Sequence, residues 1–302
     1  MTRSWMMAGV LLLVAASVAA ADDTPIGFSS MELGPGARAQ ALGSAFSSIA
    51  DDPTASFWNP AGLSRLKGIQ VVATHHQSFE NIRQEYISAT KKISEGTFGL
   101  SFGALYNSDP LLGTDENGDS VGTFGYYDLL ATAAFGFRAS SKLDVGAGVE
   151  YMATKIDELS GGGFGLNAGV RYFPGVPNLS LGLSARHLGP GVKLDTRKSG
   201  LPATVQGGVS YIVPAGRGEV TLAGDLARTR GDSRVHGLLG AEYSQGNVFS
   251  LEGGYRSGFD SESFSVGAGV NLRNFEIHYA LVPYKNSFGS SSRFALTYRT
   301  RE

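Results

Sequence analysis

The stretch LDVGAGVEYMA, residues 143–153, alternates between two kinds of residue. Every second position is apolar and would lie on one face of an extended strand: Leu143, Val145, Ala147, Val149 and Tyr151. The opposite face would carry small or charged residues: Asp144, Gly146, Gly148 and Glu150. The same alternation recurs in FGLNAGVRYF (164–173) and FSVGAGVNL (264–272). A period of two held over whole segments predicts β-strands with one apolar and one polar face.

This period of two continues from about residue 69 to the end of the sequence. It divides into fourteen predicted strands, at about 69–77, 84–93, 97–106, 125–138, 142–154, 163–173, 178–187, 202–212, 218–228, 234–244, 247–256, 262–272, 274–283 and 292–300. Tight turns such as RASS, FPGVP, SQGN and RN alternate with longer connections, including 107–125 and 188–201. Bacterial outer-membrane barrels have even strand numbers, short periplasmic turns and longer external loops, and the predicted segments fit that class.

Two architectures are possible, and they differ in what surrounds the apolar face of the strands. In a soluble sandwich or barrel this face would pack inward, whereas in a transmembrane barrel it would face lipid. The other face carries many ionisable residues: Glu150, Arg171, Arg186, Asp225, Glu242, Glu252, Arg256, Glu276 and His278. Burying unpaired charges in a dry core is costly, so these side chains are expected in a polar lumen. We therefore predict an all-β fold, a transmembrane antiparallel β-barrel of about 14 strands over residues 67–302.

The start of the sequence has the features of an export signal. Arg3 supplies a positive charge, residues 6–16 form an apolar run, and residues 19–21 offer an A-x-A cleavage site. The run is too short for a transmembrane helix, which needs about 20 apolar residues. The sequence thus predicts a signal peptide, residues 1–21, that directs export to the outer membrane of a Gram-negative bacterium, where lipid surrounds the barrel.

Composition and histidine placement argue against several other functions. The formal net charge of −2 gives no reason to expect a nucleic acid partner. The chain has no cysteine, which excludes disulfides, thiolate metal sites and a cysteine nucleophile. His75 and His76 point to opposite faces of one strand and cannot chelate one metal ion. No histidine has the partner spacing of a catalytic site. We therefore expect no catalytic residue, metal or cofactor, and predict that the protein is not an enzyme.

Residues 22–66 precede the first strand and do not alternate. In 36–50 apolar residues share one helical face, and Asp52 followed by Pro53 predicts a second short helix over 53–58. This helix should end before Asn59, because the residue before a proline disfavours the α region. Two helices this short cannot bury themselves and need a host surface. The segment is therefore predicted to be a plug or hatch, residues 22–66, inside the barrel.

The segment LGPGARAQALGSAFSSIADDPTASFWNPAGLS, residues 33–64, resembles the N-terminal signature of the PorV/PorQ family of outer-membrane proteins. That family is similar in fold to the FadL long-chain fatty-acid transporter, a 14-stranded barrel with an N-terminal hatch. The triplet Asn59-Pro60-Ala61 matches the NPA motif that FadL-like hatches carry. The resemblance implies a non-enzymatic barrel whose hatch lies in the pore.

Within this hatch, Asn59 is expected to bond free backbone groups where the helix ends, and Pro60 to fix the kink. Phe57 and Trp58 are expected to plug the lumen or to contact an apolar ligand. The same residues could instead only anchor the plug to the wall, and the sequence leaves gating and anchoring equally open. Opposite charges in the lumen are the expected partners of three hatch residues: Arg38, Asp51 and Asp52.

The resemblance implies two alternative functions. A FadL-like protein is a channel for passive uptake or export of hydrophobic small molecules, with the hatch as gate. A PorV-like protein is a shuttle or scaffold in a type IX-like protein secretion pathway, with secretion-system proteins as partners. The predicted lumen face is rich in glycine and serine, which suggests open space, and the loops are modest in length. These features favour the channel.

Overall fold

The computed structural model describes residues 27–28, 32–78, 81–109, 111–114, 117–194, 197–246, 248–285 and 289–300. The predicted signal peptide, 1–21, lies outside these ranges. The described helices are α1 (Ala37–Ala41), α2 (Ala55–Trp58) and a 3₁₀ helix, η1 (Pro60–Arg65). No helix in these ranges is long and apolar enough to cross a bilayer. The described strands are β1 (Ile69–Gln77), β2 (Ile82–Lys92), β3 (Thr97–Asn107), β4 (Leu111–Thr114), β5 (Ser120–Phe124), β6 (Tyr126–Ser140), β7 (Leu143–Ile156), β8 (Leu159–Tyr172), β9 (Leu179–Leu188), β10 (Val192–Leu194), β11 (Arg197–Ser199), β12 (Thr204–Ala215), β13 (Gly218–Thr229), β14 (His236–Gln245), β15 (Phe249–Ser257), β16 (Phe264–Leu272), β17 (Phe275–Pro283) and β18 (Ser290–Arg299).

Fourteen of these strands form one closed antiparallel barrel, which confirms the predicted fold. The order around the wall is β1-β2-β3-β6-β7-β8-β9-β12-β13-β14-β15-β16-β17-β18, and β18 pairs with β1 to close it. The four remaining strands were not predicted. They form two small hairpins, β4–β5 and β10–β11, inside the two longest connections.

The two ends of the barrel differ in their connections. At one end, the turn end, strands are joined by short turns such as 141–142, 216–217 and 273–274. At the other, the loop end, lie the longer connections and both extra hairpins. The exceptions at the loop end are the short connection 78–81, between β1 and β2, and the tight turn at 157–158, between the long strands β7 and β8. The alternation of turn lengths therefore holds along most of the chain, as expected for a transmembrane barrel.

The wall has an apolar outside and a polar inside. In β8, Phe164 and Leu166 are 72% and 55% exposed, whereas Asn167 and Arg171 are buried. Large apolar side chains are exposed on the other strands in the same way, including Leu226, Leu239, Leu251, Phe264 and Tyr279. An apolar band of this extent would be unstable in water and is stable against hydrocarbon. The barrel is therefore built to cross a membrane.

The described part of the hatch, residues 32–66, fills the inside of the barrel. The backbone N–H of Gly27 bonds Gly200 O at the loop end, at 3.1 Å, and the hydroxyl of Thr97 bonds Leu66 O at the turn end, at 3.3 Å. The N-terminal segment thus runs down the lumen and enters β1 from the turn end. Between residues 34 and 66, Asp51 is the one exposed residue.

The hatch helices are shorter than predicted. The helix expected over 36–50 ends at Ala41, because Gly43 and Ser44 adopt positive φ angles of 63° and 64°. The second helix begins at Ala55 rather than residue 53, although a carboxylate oxygen of Asp52 still accepts the backbone N–H of Thr54 at 2.7 Å. Tight contact with the wall, rather than helical propensity, sets the path of this segment.

Candidate functional site

The Asn59-Pro60-Ala61 corner joins the hatch to itself and to the wall. Asn59 is fully buried, with the extended backbone that a following proline favours. Its amide nitrogen donates to Ser47 O at 2.7 Å and to Val170 O in β8 at 3.2 Å. Its side-chain oxygen accepts the backbone N–H of Ala61 at 3.1 Å, at the start of η1. One side chain therefore fixes two hatch segments against the barrel.

Inward-facing glycines form the seat on which the hatch rests. This glycine belt comprises Gly99, Gly136, Gly146, Gly169, Gly182, Gly240, Gly254 and Gly267. A Cβ at Gly169 would lie 1.9 Å from Asn59 Oδ1, and one at Gly146 would lie 2.2 Å from the carbonyl carbon of Pro60. Such distances do not occur between real atoms, so side chains are excluded at these positions.

The belt continues around the barrel beneath the first half of the hatch. A Cβ at Gly182 would lie 2.3 Å from Ser47 O, and one at Gly254 would lie 2.1 Å from Gly43 N. The sequence predicted that inward glycines leave open space in the lumen. The space is instead occupied by the hatch backbone, so the glycines serve close packing rather than an open pore.

Phe57 and Trp58 lie at the centre of the packed lumen. They are 4% and 2% exposed, and their rings meet edge to face with centroids 5.3 Å apart. The indole N–H of Trp58 donates to Pro35 O at 2.9 Å. The guanidinium of Arg186 lies 5.2 Å from the Phe57 ring and 5.1 Å from the Trp58 ring. The two aromatic rings are thus buried inside the barrel and form cation–π contacts with a wall arginine.

An ion-pair latch holds α1 to the wall. Arg38 donates from Nε to Glu242 Oε2 at 2.5 Å and from Nη2 to Glu242 Oε1 at 3.0 Å. Its Nη1 lies 2.5 Å from Asp51 Oδ1, which joins the two halves of the hatch. Asp52, the third charged residue singled out in the sequence, bonds Thr54 within the hatch. A bidentate contact of this kind orients the arginine as well as attracting it.

The nine ionisable residues assigned to the lumen from the sequence lie on the inner face and fall into two groups. Five contact the hatch: Arg171, Arg186, Asp225, Glu242 and Arg256. Asp225, for example, accepts the backbone N–H of Ser47 at 2.9 Å, and Arg171 donates to Ser48 O at 2.9 Å. Four of the five bond backbone groups of the hatch, and Glu242 bonds the side chain of Arg38.

The other four residues belong to networks within the wall. His278 lies 2.8 Å from Glu276 and 3.2 Å from Glu252, and Arg299 pairs with Glu276 at 2.5 Å. Glu150 accepts from the side-chain nitrogen of Asn167 at 2.8 Å and lies 2.8 Å from His187 Nδ1. Pairing with other wall residues compensates the burial of these charges.

Several residues of the site were missed in the sequence. His187 should face outward by alternation, but a register shift between β8 and β9 and a φ of 55° turn it inward, where its ring lies 5.4 Å from that of Phe57. Gln40 and Arg293 both donate to Gly34 O, at 2.8 and 3.0 Å. Gln206 donates to Ser44 O at 2.8 Å. In the sequence, the one signal for His187 was its position on a face that is otherwise apolar. No such signal marked the other three residues.

A cavity of about 230 Å³ lies between the hatch and the loop end. Trp58 contributes to its lining, together with Arg186, Arg256 and Phe259. Loop residues stiffen this end of the barrel, since Asp232 pairs with Arg234 at 3.1 Å and lies 2.9 Å from His236. The hydrogen bond from Arg234 lowers the pKa of Asp232 to about 2, so this carboxylate is ionised at neutral pH. The hatch separates the cavity from the turn end.

Comparison with known proteins identifies similar folds. Residues 12–157 match the model of an uncharacterised protein family, UPF0164. No curated protein matches the chain. The solved structure of the Ralstonia pickettii toluene transporter TbuX is similar with a TM-score of 0.67 and 15% identity, over 89% of this chain and 99% of that one.

Two further structures are similar over most of their length. The monoaromatic hydrocarbon channel CymD has a TM-score of 0.60 at 14% identity, with 89% of this chain and 98% of that chain covered. A mutant of the monoaromatic hydrocarbon channel TodX has a TM-score of 0.59 at 15% identity, with 87% and 97% covered. At these identities the likeness shows a shared fold, a closed barrel of 14 strands.

Proposed function

We propose that this protein is a non-enzymatic outer-membrane channel of the FadL type, which carries hydrophobic small molecules passively past its hatch. The observation that carries the proposal is the hatch itself. It blocks the described lumen through hydrogen bonds, ion pairs and close packing, with no covalent attachment before β1. A plug held in this way can shift while the wall stays paired, which is what a gate requires.

Three further observations support the proposal. The fold is shared with a toluene transporter and with monoaromatic hydrocarbon channels. The Asn59-Pro60-Ala61 motif lies at the tightest contact of hatch and wall. The apolar outer band fits a bilayer, with the loop end outside and the turn end facing the periplasm. Export through the signal peptide, residues 1–21, and membership of the PorV/PorQ group are parts of the same proposal.

A disulfide between hatch and wall tests the gate. Ser56 Oγ lies 2.5 Å from where a Cβ at Gly99 would be, and the chain contains no cysteine, so the pair Ser56→Cys and Gly99→Cys can be oxidised selectively. Toluene crosses phospholipid bilayers unaided, so the assay uses cells whose lipopolysaccharide outer membrane carries the barrel. We expect oxidation to slow their uptake of toluene to the rate of cells without the barrel, and reduction to restore it.

The matched control is a disulfide within the wall. Ser180 and Ser210 lie on the neighbouring strands β9 and β12 with their hydroxyl oxygens 3.1 Å apart. Oxidation of the pair Ser180→Cys and Ser210→Cys should leave passage unchanged. If the hatch disulfide also left passage unchanged, the hatch would be an anchor and not a gate. If cells carrying the unmodified barrel took up toluene no faster than cells without it, the channel proposal would fail.

The PorV-like secretion role is the competing outcome. It predicts a protein partner in fixed ratio and an empty lumen when the barrel is extracted gently and weighed by native mass spectrometry. A small apolar molecule bound to the isolated barrel favours the channel. We prefer the channel because the lumen, rather than an exposed loop, holds the dense set of buried polar contacts.

A further inference from the structure

We infer that the cavity above the hatch is a binding site for a compact organic anion with an apolar, preferably aromatic, body. The inference rests on the proposed channel function and names the class of molecule that this cavity selects. It differs from a route for neutral hydrocarbons alone, because the cavity lining includes a buried cation, Arg186, that forms no ion pair with a carboxylate of the described residues.

That cation is Arg186 on β9. Its side chain is 6% exposed and lines the cavity. Its one hydrogen bond among the described residues runs from Nη1 to Trp58 O at 3.3 Å, and its Nε has no partner there. No carboxylate of the described residues lies within 4.0 Å of its guanidinium. A buried guanidinium left in this state is costly, and an anionic ligand would remove the cost.

Three carboxylates attract the Arg186 guanidinium electrostatically: those of Asp225, Glu150 and Glu32. All three lie beyond ion-pair distance from it. Asp225 already accepts from Ser47 and Gln206, and Glu150 from Asn167. Glu32 is exposed at the rim of the cavity. The guanidinium therefore remains available to a ligand, and its planar fork suits a carboxylate in two-point contact.

Of the other charged lining residues, Arg256 and Glu262 form a pair, and Glu32 lies exposed at the rim. Arg256 pairs with Glu262 and bonds the side-chain oxygen of Gln40, so it adds no net charge at its side of the cavity. His236 lies 2.9 Å from Asp232. The positive end of the cavity is thus the Arg186 side, which gives a bound anion one defined orientation.

An apolar surface faces the ligand body. The cavity is lined by Trp58 and Leu33 of the hatch and by Leu238 and Phe259 of the wall and loop. The Phe259 ring lies 4.0 Å from that of His236 and is held in place by it. Flat aromatic walls favour an aromatic body through offset stacking. Because Trp58 belongs to the hatch, a ligand here touches the gate directly.

The size of the cavity limits the ligand. At about 230 Å³ it is smaller than the roughly 300–1,000 Å³ of pockets that hold drug-sized molecules. A ring with a short acidic side chain fits, whereas a long acyl chain does not fit without displacement of the hatch. The class is therefore a small aromatic or arylalkyl carboxylate.

Fluorescence of Trp58 tests the inference on the full-length processed barrel in detergent. Trp5 lies in the predicted signal peptide, so Trp58 is the remaining tryptophan. We would titrate 3-phenylpropionate against its neutral amide, 3-phenylpropionamide, and against octadecanoate. We expect saturable binding of 3-phenylpropionate at least about tenfold tighter than of the amide, since a hydrogen bond to a charged group contributes about 1.5–3 kcal/mol.

Substitutions distinguish the effect of Arg186 on binding from a general effect of the charge of the protein. Arg186→Gln should weaken 3-phenylpropionate at least about tenfold and leave the amide unchanged. Arg186→Lys keeps the charge without the fork and should restore part of the affinity. Arg217→Gln, at the exposed turn between β12 and β13, is the matched control and should have no effect. Retained heat-modifiable migration on gels shows that each variant is folded.

The outcomes are distinct from those for the channel. Equal affinity for acid and amide, no binding of either, or an unchanged affinity in Arg186→Gln would overturn the anion site. Toluene passage without selective acid binding would leave the channel standing and refute the site. Selective acid binding without faster uptake of toluene or 3-phenylpropionate by cells that carry the barrel would leave the site standing and refute the channel.

Discussion

At the scale of single residues, the site depends on positions without a side chain as much as on the side chains that are present. The inner glycines exclude side chains wherever the hatch backbone approaches the wall, and Asn59 fills the space that Gly169 leaves. Interior packing is dense, so one added methyl group must displace either the wall or the hatch. Substitution of a belt glycine should therefore act on the hatch rather than on the strand that carries it.

Gly169→Ala tests this point. The added Cβ would lie 1.9 Å from Asn59 Oδ1, so we expect destabilisation of about 1–3 kcal/mol. The hatch should also become accessible to protease. The control is Gly253→Ala on β15, where a Cβ would meet nothing within 4 Å, and it should change stability by no more than about 0.5 kcal/mol. Urea unfolding and limited proteolysis measure both effects. Equal effects of the two substitutions would contradict the belt.

At the scale of elements, the hatch is an irregular segment that takes its shape from the wall. Its helices have five and four residues and could not persist alone. Wall side chains such as Arg171, Asp225 and Glu242 supply hydrogen bonds and an ion pair that fix the path between them. The stability of the hatch is therefore separable from that of the barrel, as local opening in proteins generally is.

Removal of the latch should loosen the hatch alone. In Arg38→Gln the buried carboxylate of Glu242 loses a bidentate partner, and we expect the free energy of hatch opening to fall by about 1.5–3 kcal/mol. Hydrogen exchange should accelerate in residues 37–66 and stay unchanged in the strands. Arg234→Gln, which breaks the exposed pairs with Asp232 and Asp260, serves as the control. Faster exchange throughout the barrel would show that hatch and wall open together.

At the scale of the whole molecule, the barrel wall and the hatch inside it are stabilised by different interactions. The wall is held by fourteen paired strands and by lipid contact on the outside, neither of which involves the hatch. The inside is polar, so removal of the hatch would expose charges to water rather than to a dry void. The wall should therefore persist when the hatch is absent.

Deletion of residues 22–66 tests that division. We expect the shortened protein to fold into a heat-modifiable barrel and to conduct ions in planar bilayers, because the lumen is then open to water. The full-length protein, reconstituted in the same way, should be closed by comparison. A folded deletion variant without conductance would mean that something other than the hatch seals the pore.

The sequence predicted the wall far better than its contents, for a physical reason. Alternation follows from the pleat, so the fourteen strands and the inward position of residues such as Glu150 could be read from local pattern. The bulge that turns His187 inward and the two loop hairpins depend on contacts between distant segments. The sequence showed that the glycines face inward. Their role in packing depends on the path of the hatch, which the alternation of residues within a strand does not determine. Helical periodicity over 36–50 was overridden by contact with Tyr255 and Leu239 at Gly43.

The glycine belt also constrains the order of assembly. Hatch backbone or side-chain atoms approach glycines on eight of the strands between β3 and β16, at distances that leave no room to slide a preformed plug past the wall. The seam that closes the barrel joins β18 to β1, the strand that directly follows the hatch. We therefore expect the N-terminal segment to be enclosed while that seam is still open. On this view the barrel closes around the hatch as it assembles. The folded protein therefore first exists with the hatch in the lumen, and any opening starts from that closed state.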